Sequence, residues 1–196
     1  MAHVNSFIRI PGIVLRQKLR PLPKIGVLET DRVRMQVWPT DIDFNFHLNN
    51  SRYLSFMDYG RVHLTASLGL LDHVLAERWT PLVGSVIVTY RRPIGLWKRF
   101  TLSTRILCWD EKWIYMEQTF HSDQGLAAIA WVKVLFQGRE GNLLPEEIVN
   151  LIAPGQLSPP MPASIEHWND ISYEKLHSLS ALNPPTLKPS TLSTHK

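Results

Sequence analysis

Apolar and polar positions alternate over residues 32–38, with Val33, Met35 and Val37 set against Arg34 and Gln36. That period of two predicts a half-buried strand. The alternation breaks over 49–68. There the polar residues Ser51/Arg52, Ser55, Asp58, Arg61 and Thr65 fall on one narrow stripe at helical spacing. Tyr53, Leu54, Phe56, Met57, Tyr59, Val62, Leu64 and Leu68 cover the rest. Asn49, Asn50 and Ser51 suit the start of this helix, and Gly69 its end. A helix apolar over most of its circumference must be wrapped by other elements, not laid on a surface. Residues 70–78 read as a second, short helix. Strand-like runs then follow one another: 82–92, closed by Pro93-Ile94-Gly95; 99–109; 113–121, after Asp110-Glu111; and 126–136, after Ser122-Asp123-Gln124-Gly125. A last short helix is predicted over 145–152, with Glu146 and Glu147 in its first turn. One strand, a long buried helix and four antiparallel strands make an α+β layer architecture. A sheet curled around the central helix solves the burial of 49–68 directly.

Prolines punctuate both ends. Pro11, Pro21 and Pro23 keep the first 31 residues from forming one long helix. Pro154, Pro159, Pro160 and Pro162 make 154–163 a stiff linker, and 183–196 reads as a disordered tail. Between them, Ile165, Trp168, Ile171, Leu176, Leu179 and Leu182 recur at helical spacing, which predicts an appended helix docked on the body. The expected organisation is therefore an arm (1–31), a body (32–153), a Pro-rich linker with a docked helix (154–182) and a tail (183–196).

Composition narrows the classes. Hydrophobic residues are 44% and charged residues 19% of the chain, which allows a packed core and excludes global disorder. The single cysteine, Cys108, excludes a disulfide framework and a Cys-based zinc cluster. No apolar run approaches the ~20 residues of a membrane span. The net charge of +4 is concentrated at one end: residues 1–34 hold seven basic and two acidic residues, leaving the remainder at −1. A nearly neutral body argues against a nucleic-acid partner. The arm either packs on the body with its charges in water, or makes peripheral contact with an anionic membrane or an acidic carrier protein. Pro11 and Gly12 interrupt its apolar stretch, so it does not read as a signal peptide. The expected location is the cytoplasm, with membrane-peripheral contact as the alternative.

Functional side chains are densest over 41–50, Asp41-Ile42-Asp43-Phe44-Asn45-Phe46-His47-Leu48-Asn49-Asn50, followed by Tyr53. This stretch lies between the first strand and the buried helix. Such a junction offers free backbone N–H groups and the positive end of the helix dipole, which polarise a carbonyl and stabilise an oxyanion. Carboxylate, amide and imidazole groups beside it are equipped to activate water or to attack directly. Asp and Asn are also ordinary turn and capping residues, and His47 alone reads equally well as structural. The cluster as a whole favours function.

The pattern Asp43-x-Asn45-x-His47-x-Asn49-Asn50-x-x-Tyr53 resembles the motif of the hot-dog-fold thioesterases, in local pattern the plant acyl-acyl-carrier-protein thioesterases. The 4-hydroxybenzoyl-CoA thioesterase type shares the Asp-x-Asp start, and its reactive second aspartate matches Asp43. Over 32–182 the chain looks most like the sixth member of the animal thioesterase superfamily and its bacterial relatives, through 41–54, Trp109-Asp110 and Glu166-His167-Trp168. The resemblance implies a hot-dog fold and a cofactor-independent acyl thioesterase acting on acyl-CoA or acyl-carrier-protein thioesters. Asp43 is then nucleophile or general base, and Asn45 and His47 orient water or the carboxylate. Backbone N–H groups near Leu48 and Asn49 hold the thioester oxygen, with Tyr53 and Asp58 also at the substrate. Family members dimerise or form higher homo-oligomers, with acyl sites at the subunit interface. One departure stands out: in the plant enzymes Tyr-Arg-Arg is followed by a glutamate, whereas Tyr90-Arg91-Arg92 is followed by Pro93.

Two rivals follow from the same residues. A hot-dog hydratase or dehydratase places its histidine five residues after the aspartate with a proline between; here the spacing is four and Phe46 stands instead. A non-catalytic acyl-binding module is compatible with Pro93. Asp58 also reads as a surface residue paired with Arg61. Arg91 and Arg92 are either strand-end charges or contacts for coenzyme A phosphates. His63, His73 and His121 lack ligand spacing, so no metal is expected. Cys108 alternates with apolar neighbours and is expected in the core. No Gly-rich phosphate loop implies a nucleotide cofactor.

Overall fold

The computed structural model describes residue 12 and residues 22–182, with side chains as far as residue 174. The tail and most of the arm lie outside the described residues. The chain divides into two units, 1–159 and 160–196.

In the first unit, β1 (Asp31–Gln36), β2 (Thr80–Tyr90), β3 (Arg99–Trp109), β4 (Ile114–Ser122) and β5 (Gly125–Gln137) form one antiparallel sheet ordered β1-β3-β4-β5-β2. All five predicted strands are present, with ends within two residues of the sequence expectation. β2 stops at Tyr90 because the Arg91 and Arg92 N–H groups both turn onto the Ala127 carbonyl. Over residues 22–159 the α-helices of this unit are α1 (Asn50–Ser67), α2 (Leu71–Ala76) and α3 (Pro145–Asn150). α1 packs on β1 and β3, so the expected combination of sheet and central helix is present.

The face of α1 toward the sheet is set by Phe56, Met57 and Leu64, which join Phe100, Leu102 and Phe120 in the buried core. Phe56 meets Phe100 edge-on with centroids 5.1 Å apart. Between these side chains α1 comes very close to the sheet. A Cβ on Gly60 would lie 2.8 Å from both Leu102 and Thr104 and 2.9 Å from Gln118. Gln118 is fully buried there, its amide donating to the Met57 carbonyl and the Thr104 hydroxyl, both at 3.0 Å. A second polar tie joins β1 to the far end of α1. Asp31 meets His63 Nδ1 at 2.6 Å and accepts from the Ser67 hydroxyl at 3.2 Å.

α1 keeps one open stripe, at Ser51, Leu54 and Asp58. Arg52 departs from the sequence expectation. Spacing assigned it to the polar stripe, yet it is buried, for a reason found at the site below. The outer edge strand β2 exposes Leu82, Val83 and Ile87. Its ladder to β5 is interrupted at Gly84, where a Cβ would fall 2.3 Å from the Trp113 ring. Cys108 lies on β3 and is fully buried, as expected. Burial first, and the Asp110 charge second, push its thiol up to about 11.

The second unit contains α4 (Ala163–Leu182), within one residue of the predicted span. The Ile165 and Glu166 N–H groups both donate to the Pro162 carbonyl, which closes its first turn.

Candidate active site

Between β1 and α1 the chain makes a single 3-10 turn, Pro39–Asp41, and then a tight hairpin. Ile42 and Leu48 pair as an isolated antiparallel bridge. The Asp43 N–H donates to the His47 carbonyl at 3.0 Å and the Phe46 N–H to the Asp43 carbonyl at 3.1 Å. Phe46 sits at φ 58°. A turn followed by a left-handed residue is the usual geometry of a three-residue hairpin loop, here 44–46. A bulky residue in that region is costly, and such conformations concentrate at functional positions.

The hairpin sorts its side chains by alternation. Leu48 is buried, while Asp43 and His47 stand opposite one another on the other face. Cross-strand partners are about 5 Å apart at Cβ, so the two side chains spring from adjacent positions. Asp43 is half-buried, and one of its oxygens accepts from the Asn45 N–H at 2.9 Å. Its second oxygen has no partner among the described residues. Asn45 and His47 are exposed, as are Phe44 and Phe46 at the tip. The hairpin is held against the loop after β2: the Leu48 N–H donates to the Ile94 carbonyl at 2.8 Å, and His47 bridges Gly95.

Asp41 behaves differently. It is fully buried, and one oxygen accepts from Arg52 Nε at 3.1 Å and Nη2 at 2.8 Å. The other accepts from the Trp38 N–H at 3.1 Å. This explains the burial of Arg52: the guanidinium ties the first turn of α1 to the 3-10 turn beneath the hairpin. Sequence spacing read Asp41 as a turn residue and did not reveal the pair, because the partners are eleven positions apart.

Asn49 caps α1, its side-chain oxygen accepting from the Ser51 N–H at 2.9 Å. The oxyanion role expected of the Leu48 and Asn49 N–H groups needs correcting. The first is spent on Ile94, and the second donates to the Asp41 carbonyl at 2.9 Å. The Asn50 N–H, at the positive end of α1, has no acceptor among the described residues. Tyr53 is buried in the core, edge-on to Tyr90 at 5.0 Å and Phe120 at 4.8 Å. Burial, then the neighbouring Tyr90, push its hydroxyl up to about 12. The Tyr90 hydroxyl donates to the Asn50 carbonyl at 3.3 Å, a contact from the end of β2 to the first turn of α1 that no local pattern signals.

Asp58 is not brought to this cluster. Eight residues along α1 place it about 12 Å farther down the axis. It pairs with Arg61, which also donates to Gln118 at 2.9 Å. Burial raises the Asp58 pKa, against the lowering effect of Arg61. The pair borders a cavity of about 200 Å³ walled by Val62, Val83, Met116, Val134 and Phe136. Among the described residues no cluster of three or more His, Cys, Asp or Glu is arranged to hold a metal.

The family model of the thioesterase-like superfamily matches residues 37–169. The chain belongs to the thioesterase-like superfamily. Among thioesterase-like relatives, protein THEM6 of Xenopus laevis is 33% identical over 184 residues, covering 90% of this chain and 86% of the relative. A probable thioesterase of Saccharomyces cerevisiae, YBR096W, is 28% identical over 113 residues, covering 56% of this chain and 49% of that one. In fold, the chain is similar to the DHNA-CoA thioesterase of Staphylococcus aureus. Their TM-score is 0.55 at 12% identity, over 78% of this chain and 93% of that one. The hot-dog architecture of the superfamily accounts for the sheet order and for α1.

Proposed function

We propose that this chain hydrolyses acyl thioesters of coenzyme A or of an acyl carrier protein, without a cofactor, with Asp43 as its reactive carboxylate. Thioester hydrolysis is the reaction of its superfamily. The assignment to Asp43 rests on one observation: half of this carboxylate is anchored by the Asn45 N–H, while the other oxygen is uncommitted beside a helix start. As nucleophile, that oxygen adds to the thioester carbonyl. The thiolate leaves, and water opens the resulting mixed anhydride. As general base, it takes a proton from a water that attacks the same carbon. Either route puts negative charge on the carbonyl oxygen, and in this reading the Asn50 N–H and the α1 dipole stabilise it. His47 and Asn45 orient the water or the carboxylate.

A second copy of the chain is part of this reading. In a single chain Asn45, His47 and both tip phenylalanines face water, whereas developing charge is best stabilised where water is excluded. The exposed β2 edge, ending at Tyr90 against the first turn of α1, supports pairing with a second β2. The apolar cavity beside Asp58 suits the acyl chain. The cytoplasm is the proposed location, with peripheral contact of the basic arm at an anionic membrane surface as the alternative. No helix among the described residues is long and apolar enough to cross a membrane.

Pro93 supports a second reading, a module that binds acyl groups without cleaving them. It occupies the position of the plant glutamate, two residues from Gly95 at His47. Assaying a panel of acyl-CoA and acyl-carrier thioesters for released thiol separates the two. In that assay Asp43→Asn should lower kcat by at least ~100-fold, the scale of a positioned acid–base group, with KM and Tm unchanged. Asp41→Asn should do the reverse. It removes the charge that pairs buried Arg52, so stability should fall by about 3 kcal/mol or more while folded protein keeps its kcat within a few-fold. Near-normal hydrolysis by Asp43→Asn, or a larger kcat loss from Asp41→Asn, overturns the assignment.

A further inference from the structure

We propose that the outer face of the sheet carries a second site, which binds a phosphate group in a trough across β1, β3 and β4. Strand register builds it. Arg32 pairs with Ser103 and Ser103 with Thr119 in one cross-strand row, and Thr101 pairs with His121 in the next; all five line the trough. Same-face neighbours in such rows are about 5 Å apart, so a guanidinium, hydroxyls and an imidazole come within reach of one tetrahedral oxyanion. Their intervening neighbours Leu102, Thr104 and Phe120 are buried on the α1 side, which turns this set away from α1. The trough is therefore separate from the Asp43 hairpin.

Charge decides the class of ligand. The one carboxylate in the trough, Glu117, is already engaged by Arg105 at 2.8 Å and by the Trp131 indole N–H at 3.2 Å. Arg32 and His121 line the trough, are exposed and make no ion pair among the described residues. An uncompensated guanidinium beside hydroxyl donors is the chemistry of phosphate recognition. The trough measures about 460 Å³, in the range of small-molecule sites, so it has room for the organic body of a phosphate ester as well as its phosphate.

The test uses the full chain and inorganic pyrophosphate. Titration at physiological ionic strength, followed by calorimetry and by the His121 ring resonances, should saturate in the sub-millimolar range. Arg32→Gln combined with Ser103→Ala should weaken binding by about tenfold or more, the scale of one lost charge-assisted hydrogen bond, with Tm unchanged. Steady-state kinetics on an acyl-CoA distinguish the source of the phosphate. If the thioester's own phosphates fill the trough, the double variant raises KM by a similar factor and spares kcat. If a separate phosphate ester fills it, KM stays while pyrophosphate binding is lost. A response that does not saturate, or saturation that the double variant leaves intact, overturns the proposal.

Discussion

Asp41 and Asp43 are two positions apart and differ in everything except composition. One is fully buried and ion-paired; the other keeps an oxygen uncommitted on a half-buried hairpin. Environment, not residue type, separates a carboxylate that holds the fold from one available for chemistry. Tyr53 makes the same point for a hydroxyl. Its pKa is raised from the ordinary 10.0 to about 12, chiefly by burial. Above pH 10 the unfolded chain loses this proton while the native chain keeps it. The stabilisation is therefore complete below about 10 and is lost as pH rises through 12. Urea unfolding across that window should show a fall of up to ~1.4 kcal/mol per pH unit from this group. Tyr53→Phe should remove that component; an unchanged slope in the variant would show that Tyr53 is not its source.

At the scale of elements, the close approach of α1 to the sheet depends on Gly60. Alanine there gains about 1 kcal/mol in helix propensity. Its Cβ, however, collides with Leu102, Thr104 and Gln118, and overpacking of this kind costs about 1–3 kcal/mol. The amide of Gln118 would also be displaced from the Met57 carbonyl. Gly60→Ala should therefore lower the urea midpoint; an increase would mean that the helix can lift off the sheet freely. The elements themselves were legible in the sequence, because period-two and helical patterns are local. Leu102 and Phe120 alternate with polar neighbours, and Asn49 caps α1 as its position suggested. Partners were not legible. Arg52 shares its spacing with exposed residues, and its ion pair with Asp41 on the preceding turn is invisible to that spacing. Likewise, the motif showed that Asp43 and His47 belong together. It could not show that the Leu48 and Asn49 N–H groups are consumed by Ile94 and Asp41, since those acceptors are set by the hairpin and its docking.

For the whole molecule, the proposed β2 edge pairing has a direct physical test. Sedimentation at micromolar concentration should give twice the 22.6 kDa chain mass. Val83→Lys with Ile87→Lys places like charges along the edge, which opposes strand addition, and should return the single-chain mass. A wild-type chain that sediments as a monomer would remove the shared-site reading.

Cys108 gives the molecule an internal clock. It is the chain's single thiol, fully buried on β3 opposite Tyr115 of β4, and burial keeps it protonated at neutral pH. An alkylating reagent acts on the thiolate and needs access, so it modifies Cys108 only in molecules whose sheet has opened. Each opening that is caught adds one mass increment, without any engineered probe. Separation of two subunits along β2 leaves Cys108 paired with Tyr115 of β4. Alkylation thus times the opening of the sheet's interior independently of subunit exchange.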